Sequence, residues 1–425
     1  MGFPSSPADE QVYTNANGTR YQYDSTDNKW VVIGGAYNLN TLTVNTLNIN
    51  EQLNNIYYCS TNTEINDAIT TIGSGAGTII LDPSTIAITS NIVINNATAN
   101  INIKGHQNKT VLDMSDGIKI LVTSVDKLIL EDFKIDAADH NATTDIMFDV
   151  DDGLVICRNI TFLGGTQVSQ VDINGTVHLF DCFFDTMAIV DINGDNCIIK
   201  DCDFDSIGYD DNSADGAIRF SGDRMRVINN YIHTISLECD TININAYILI
   251  QTTNSIFSNN IIYDINRDTD DCKIVIIYVN GDKNIFSNNL IYGCHNNRGA
   301  TATQSDLYVF QVLSDDCVFS GNIIHDCGSD EEDCYVFYVN STALNCTFIG
   351  NVVTNIDADE MYGIYSAGTY CSYIGNVFDT TPRLQSTAKT FLDAGSGENT
   401  VIGNQWGGDG STYDASDIEV SSNNA

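Results

Sequence analysis

The sequence predicts an all-β fold, a right-handed, single-stranded parallel β-helix of about eleven coils, and three observations carry that prediction. A short pattern recurs, reading VINNYI, FSNNII, FSNNLI, FSGNII, FIGNVV, YIGNVF and VIGNQW, with its asparagine at Asn230, Asn260, Asn289, Asn322, Asn351, Asn376 and Asn404. The intervals are 30, 29, 33, 29, 25 and 28 residues, and Cys202, Cys182, Ile160 and Phe133 continue the series backward. Within a repeat, runs such as IVIIYVN (274–280) alternate on a period of two and never show the three-and-four spacing of a helix. Each coil is therefore two or three short parallel strands, with the hand that crossovers between parallel strands nearly always take. Asparagine suits the corner, where it tolerates an unusual backbone and its amide can bond the asparagine one coil away.

Residues 1–35 read as a separate small β module. Turn signals at Asn17-Gly18 and Asp27-Asn28 separate aromatic-rich strand candidates, Tyr21 to Tyr23 and Trp30 to Ile33. Residues 36–60 form a linker strand; TLTVNTLNINEQ (41–52) alternates apolar and polar side chains and invites pairing between chains. The solenoid with its cap takes residues 61–410. It begins with NTEINDAITTI (62–72), helical in its spacing of Ile65, Ala68, Ile69 and Ile72, with Thr61 or Thr63 available to cap it. A helix here plugs the open end of the barrel, as a solenoid requires to hide its terminal core. Residues 411–425 are a polar tail.

Two segments resemble known families. The Pro-rich start followed by Gly18-Thr19-Arg20-Tyr21-Gln22-Tyr23-Asp24 and Trp30 resembles a segment of appendage proteins of tailed viruses. The run from the helix through Gly73–Gly77, the strand ending in Asp82-Pro83, and coils ending at Gly105 and Thr110-Val111-Leu112 resembles the opening of the pectin-lyase-like β-helix superfamily. That resemblance implies the fold and not one activity, because the superfamily holds lyases, hydrolases, tailspikes and inert rods. Together the two imply a virion surface protein of spike or fibre type, anchored to other virion proteins through residues 1–60.

Composition narrows the partners. The formal net charge is −38, with Asp and Glu totalling 56 against 18 Lys and Arg, which argues against nucleic acid. MGFPSSPADE has neither the basic start nor the apolar core of a signal peptide, and no stretch is long enough to span a bilayer. Gly2 with Ser6 fits the loose myristoylation pattern, which is weak evidence by itself. The 13 cysteines, an odd number, read as small interior residues with no disulfide framework and no metal site, since Cys197, Cys317, Cys346 and Cys371 lie five residues before the ladder residue and Cys294 and Cys327 five after it.

Counting from the ladder residue places candidate chemistry in vertical rows. Three residues on, an outward row reads Asp136, Leu163, Asp185, Asp205, His233, Tyr263, Tyr292, His325, Thr354 and Asp379. Asp185, Asp205 and His233 are the candidate catalytic residues of a glycoside hydrolase, since neighbouring carboxylates push their proton affinities apart. Tyr263 and Tyr292 of that row, and Tyr278, Tyr338 and Tyr365 of a second-strand row that also holds Leu249 and Gln311, are the candidate glycan contacts. One residue after the ladder, Tyr231, Ile261, Leu290, Ile323, Val352 and Val377 form an apolar stripe expected to pack between copies, in a homotrimer. Acidic loops at 209–215, 267–271, 329–333 and 357–360 have the oxygen-rich chemistry calcium favours, without an EF-hand or RTX repeat. No other cofactor is expected. The leading expectation is a structural virion surface protein touching a host receptor or glycan; the alternative is a polysaccharide depolymerase of tailspike type.

Overall fold

A computed structural model describes residues 11–422, apart from 15–19, 26–28, 35–54, 108, 139–145, 166–169, 209–215, 236–243, 268–272, 297–305, 330–332, 359, 380–386, 395–398, 408–412 and 415–417. The chain divides into two compact units, Met1–Asn54 and Asn55–Ala425. In the first, strands Val12–Thr14, Arg20–Asp24 and Lys29–Gly34 form an antiparallel sheet. Its register pairs Tyr13 with Tyr21 and Tyr23 with Trp30, so these four aromatic side chains share one face, with Tyr23 and Trp30 ring centroids 5.4 Å apart.

The second unit is a parallel β-solenoid of three sheets. Sheet 1 runs from Ile56–Cys59 to Ile418–Ser422, sheet 2 from Thr85–Ile88 to Gln405–Gly407, and sheet 3 from the start of Ile92–Lys104 to Tyr413–Asp414. Among the described residues, sheet 2 is thirteen strands deep. Eleven of these follow the ladder residues from Phe133 to Asn404; Thr85–Ile88 and Val111–Met114 precede them and lack the Asn signature. The solenoid also begins and ends outside the expected limits: Ile56–Cys59 lies in the segment read as linker, and Ile418–Ser422 in the segment read as polar tail. The expected strand at 41–52 lies outside the described residues.

The helix Asn62–Ile72 starts as anticipated at Thr61, which forms a reciprocal capping box with Glu64. Its Ile65, Ala68, Ile69 and Ile72 join the solenoid core. Inside the barrel like side chains sit above like. Phe162, Phe184 and Phe204 stack at 4.8 and 4.7 Å, and Phe286, Phe319 and Phe348 at 4.8 and 4.7 Å, matching the strand spacing. The eleven described cysteines are buried free thiols, Cys294 and Cys327 stacked one above the other.

The asparagine ladder fixes one corner. The Asn260 Nδ2 donates to Asn289 Oδ1 at 3.0 Å and to the Val227 carbonyl at 3.0 Å, and the Asn260 N–H donates to the same Asn289 Oδ1 at 3.0 Å. The pattern repeats from Asn230 to Asn404 with all seven amides buried, and ends where Cys202 N–H donates to Asn230 Oδ1. The residue before each ladder position has positive φ, from Asp132 (63°) through Asn259 (55°) to Gly403 (61°), which is why Asn, Asp and Gly fill it.

Candidate functional site

Sheet 2 gathers the residues expected to be catalytic. Asp185 lies opposite Asp205, Asp205 opposite His233, and the row continues through Tyr263 and Tyr292 to His325. His233 bridges two carboxylates, with Nε2 2.9 Å from Asp203 Oδ1 and Nδ1 3.3 Å from Asp205 Oδ1. Thr186 and Ser206 hydroxyls donate to Asp185 and Asp205 at 2.7 and 3.0 Å. Burial pushes the Asp203 carboxyl above the usual carboxylate range; His233 opposes this, and the charges of Asp205 and Asp185 add to it. Asp203 was not among the expected site residues because it stands in the row of the apolar stripe. The sequence does carry a signal, since Asp203 and Asp205 are two apart on one strand and must share a face.

The rings of His233, Tyr263, Tyr292 and His325 stack at 4.7, 5.2 and 5.1 Å, with planes within 18° of parallel. Their faces are turned to one another, so the row presents ring edges and tyrosine hydroxyls, while the His233 nitrogens are taken up by Asp203 and Asp205. The row therefore offers hydrogen-bonding groups more than open ring faces. Tyr231, Ile261, Leu290, Ile323, Val352 and Val377 lie in register on the same strands, two residues earlier. Tyr231 and Ile323 are 49% and 45% exposed, and the other four are half-buried. Stripe and polar row thus form one face.

Sheet 3 carries a second row. Leu249, Tyr278, Gln311, Tyr338 and Tyr365 are in register as expected, but Leu249 and Gln311 are buried and the three tyrosines half-buried. Tyr338 and Tyr365 stack at 4.9 Å, beside a second stack of Tyr308, Tyr335 and Tyr362 at 4.8 and 4.5 Å. The two stacks meet edge to face, for example Tyr308 with Tyr338 at 5.2 Å. Tyr308 and Gln311 are three apart, which in a regular strand means opposite faces. They share the outside because Val309 and Phe310 both enter the core, so the strand spends two consecutive residues inward. Each inner tyrosine hydroxyl donates to a carboxylate two residues earlier: Tyr308 to Asp306 at 3.2 Å, Tyr335 to Asp333 at 2.8 Å, Tyr362 to Glu360 at 2.6 Å. Burial and these acceptors hold the Tyr308 and Tyr335 hydroxyls protonated, well above the ordinary phenol range.

The row extends toward the N-terminus into a cluster that sequence reasoning missed. Arg219 lies opposite Leu249, Asp191 opposite Arg219, Asp172 opposite Asp191 and Asp149 opposite Asp172. Lys119 Nζ is 2.5 Å from Asp149, and Arg219 Nη1 is 3.6 Å from Asp191. The middle carboxylate, Asp172, accepts from Asn174 Nδ2 at 3.1 Å, and burial, then the charges of Asp149 and Asp151, raise it above the usual carboxylate range. The signal was present: Tyr278 and Leu249 stand eleven residues before Asn289 and Asn260, and the same count from Asn230, Cys202 and Ile160 reaches Arg219, Asp191 and Asp149. Asp172 stands ten before Cys182, one corner residue having been lost.

Among the described residues no cluster of three or more His, Cys, Asp or Glu is arranged to hold a metal ion. The acidic loop 209–215 and most of 267–271 and 329–333, which carried the calcium expectation, lie outside the described residues.

No family model and no curated protein matches this chain. Solved structures that it resembles include the Dettilon tailspike protein (14% identity, 86% of this chain and 68% of that one, TM-score 0.40). They also include PfbA, a surface adhesin of Streptococcus pneumoniae (12%, 74% and 89%, 0.39). A third is the catalytic unit of the GH87 α-1,3-glucanase of Streptomyces thermodiastaticus (16%, 83% and 67%, 0.38). Identities and TM-scores this low carry nothing about the activity of this chain, whose fold rests on the strand pairing itself.

Proposed function

We propose that this chain is a β-helical surface protein that contacts glycan along sheet 3, in the setting of a virus particle spike or fibre. The observation that carries the glycan reading is one row on the outer side of sheet 3, Asp149, Asp172, Asp191, Arg219, Leu249, Tyr278, Gln311, Tyr338 and Tyr365, in which half-buried charged groups pass into half-buried tyrosines, with Asp149, Leu249 and Gln311 buried between them. Saccharides are read by that combination of fixed polar groups and aromatic surface. The virion setting is supported by the N-terminal segment, a compact unit separate from the solenoid, with its aromatic face on a small antiparallel sheet. Attachment to other virion proteins through residues 1–60 and assembly as a homotrimer through the Tyr231 to Val377 stripe belong to the same reading.

Depolymerisation is the second reading, and Asp172 favours it. A carboxyl raised above the usual range between Asp149 and Asp191, each paired with a cation, has the division of roles that acid–base cleavage needs. Asp203 with Asp205 and His233 repeats the theme on sheet 2. The test is a panel of surface polysaccharides assayed for binding and for new reducing ends. Glycan contact predicts binding that weakens at least about tenfold in Tyr338→Ala combined with Tyr365→Ala. No binding across the panel would sink the proposal, while turnover abolished by Asp172→Asn with binding retained would establish the second reading.

A further inference from the structure

At the corner between sheets 3 and 1 lies a depression of about 290 Å³, lined by Asn196, Ile198, Arg224, Met225, Arg226, Asn254 and Ile256. It spans three coils. Ile198, Arg226 and Ile256 are in register on the outside of sheet 1, and Asn196, Arg224 and Asn254 occupy the preceding corner at φ of 57°, 59° and 54°. The middle coil therefore brings two guanidinium groups into a hollow whose upper and lower coils supply isoleucine walls and side-chain amides. We infer that this depression binds the anionic group, carboxylate or sulfate, of an acidic sugar unit. The inference rests on the glycan-contact reading and adds a second subsite that selects charge.

The charge balance makes the site unusual. Most described cations of the chain are spoken for: Arg224 Nε is 3.2 Å from Asp223 Oδ2, and Lys200, on the same outer face, is 3.2 Å from Asp201 Oδ2. Arg226 is exposed and has no ion pair among the described residues. Asp223 is occupied as well, accepting from Asn254 Nδ2 at 2.8 Å and Thr253 Oγ1 at 3.0 Å, contacts that hold its carboxyl below the usual range. The open fork of Arg226 suits a planar carboxylate or a sulfate, which it can bind through two parallel N–H···O bonds. The net charge of −38 does not forbid this, because charges beyond about 8 Å are largely screened at physiological salt. It does discriminate between polymers. A nucleic acid brings a charge every few ångströms and meets repulsion along the whole chain, whereas an acidic polysaccharide spaces its charges and offers apolar ring faces to Ile198 and Ile256. The volume lies at the small end for ligand pockets, the scale of one sugar ring.

Calorimetric titration of the full-length protein tests this with three oligosaccharides of equal length, one containing glucuronate, one sulfated and one neutral, together with a single-stranded oligodeoxynucleotide. The expected result is that a charged oligosaccharide binds more tightly than the neutral one, and that Arg226→Gln removes about tenfold of the affinity for it while leaving the neutral ligand unchanged. Arg224→Asn, which keeps a residue suited to positive φ, loses less because Arg224 already shares its charge with Asp223. Preference for glucuronate over sulfate, or the reverse, identifies the anion. Equal affinity for charged and neutral sugars, or an Arg226→Gln variant that binds the charged one as well as wild type does, overturns the inference and leaves the glycan-contact proposal standing. Tighter binding of the oligodeoxynucleotide overturns it too. No binding of any sugar overturns both.

Discussion

Replacing Asn289 by alanine removes an interior rung of the asparagine ladder, and the structure says what is lost. Asn289 Oδ1 accepts from the Asn260 N–H and from Asn260 Nδ2, both at 3.0 Å, and Asn289 Nδ2 donates to the Phe257 carbonyl at 3.0 Å and to Asn322 Oδ1 at 2.9 Å. Asn289 is 3% exposed, so water does not replace these partners without opening the corner. The variant orphans two buried donors on Asn260, each costing about 1–3 kcal/mol, for a total of about 2–6 kcal/mol. Urea unfolding followed by far-ultraviolet circular dichroism measures it, with exchange of the Asn260 amide hydrogen as the local readout, since a solenoid need not unfold in one step. Asn260→Ala alone orphans the two Asn230 donors in the same way. The double variant, however, has already lost the Asn260 side-chain donor, leaving three orphans where the sum of the singles has four. It should therefore be less damaging than additivity by about 1–3 kcal/mol. A single-variant loss below about 1 kcal/mol, or strict additivity, would refute the claim that the ladder holds the corner through shared, buried hydrogen bonds.

Asp172→Asn should stabilise the protein at neutral pH. The folded state raises this carboxyl, so it favours the protonated form, and the penalty for ionising it is absent below about pH 4 and grows as pH climbs through the raised value. The expected Tm gain is present at pH 7 and vanishes at pH 4; a gain that is equal at both would show that ionisation is not its source. Gly281→Ala should be severe, because a Cβ there would overlap the Thr252 carbonyl oxygen in the neighbouring coil, and a loss under about 2 kcal/mol would mean that the coils can part locally. If the exposed stripe joins copies, Tyr231→Glu with Ile323→Glu should convert the oligomer to monomers in light scattering without lowering the far-ultraviolet signal. Monomeric wild type, or an unchanged oligomer in the variant, would remove the stripe from the interface.

Much was legible in the chain because a parallel solenoid maps sequence offset onto position. The Asn period, the capping Thr61, and the alternation of Phe257 and Ile262 inward with Tyr263 outward all follow from local chemistry repeated at a fixed count. The same counting placed Asp185, Asp205 and His233 in one row, and it extends to Asp149, Asp191 and Arg219 when carried back past Leu249. What counting cannot supply is where it breaks. The shortened corner before Cys182 moves Asp172 by one position, and the paired inward residues Val309 and Phe310 bring Tyr308 to the outside beside Gln311. Both depend on how neighbouring coils settle against each other, because a strand's register is chosen by the pairing and packing of the whole stack. The sequence by itself determined the coil, its corner ladder and the direction of most side chains. Only the tertiary structure decided which rows share a face, which carboxylates are charge-paired and which is raised by burial and like charges, since these are properties of distances between residues 19 to 30 positions apart.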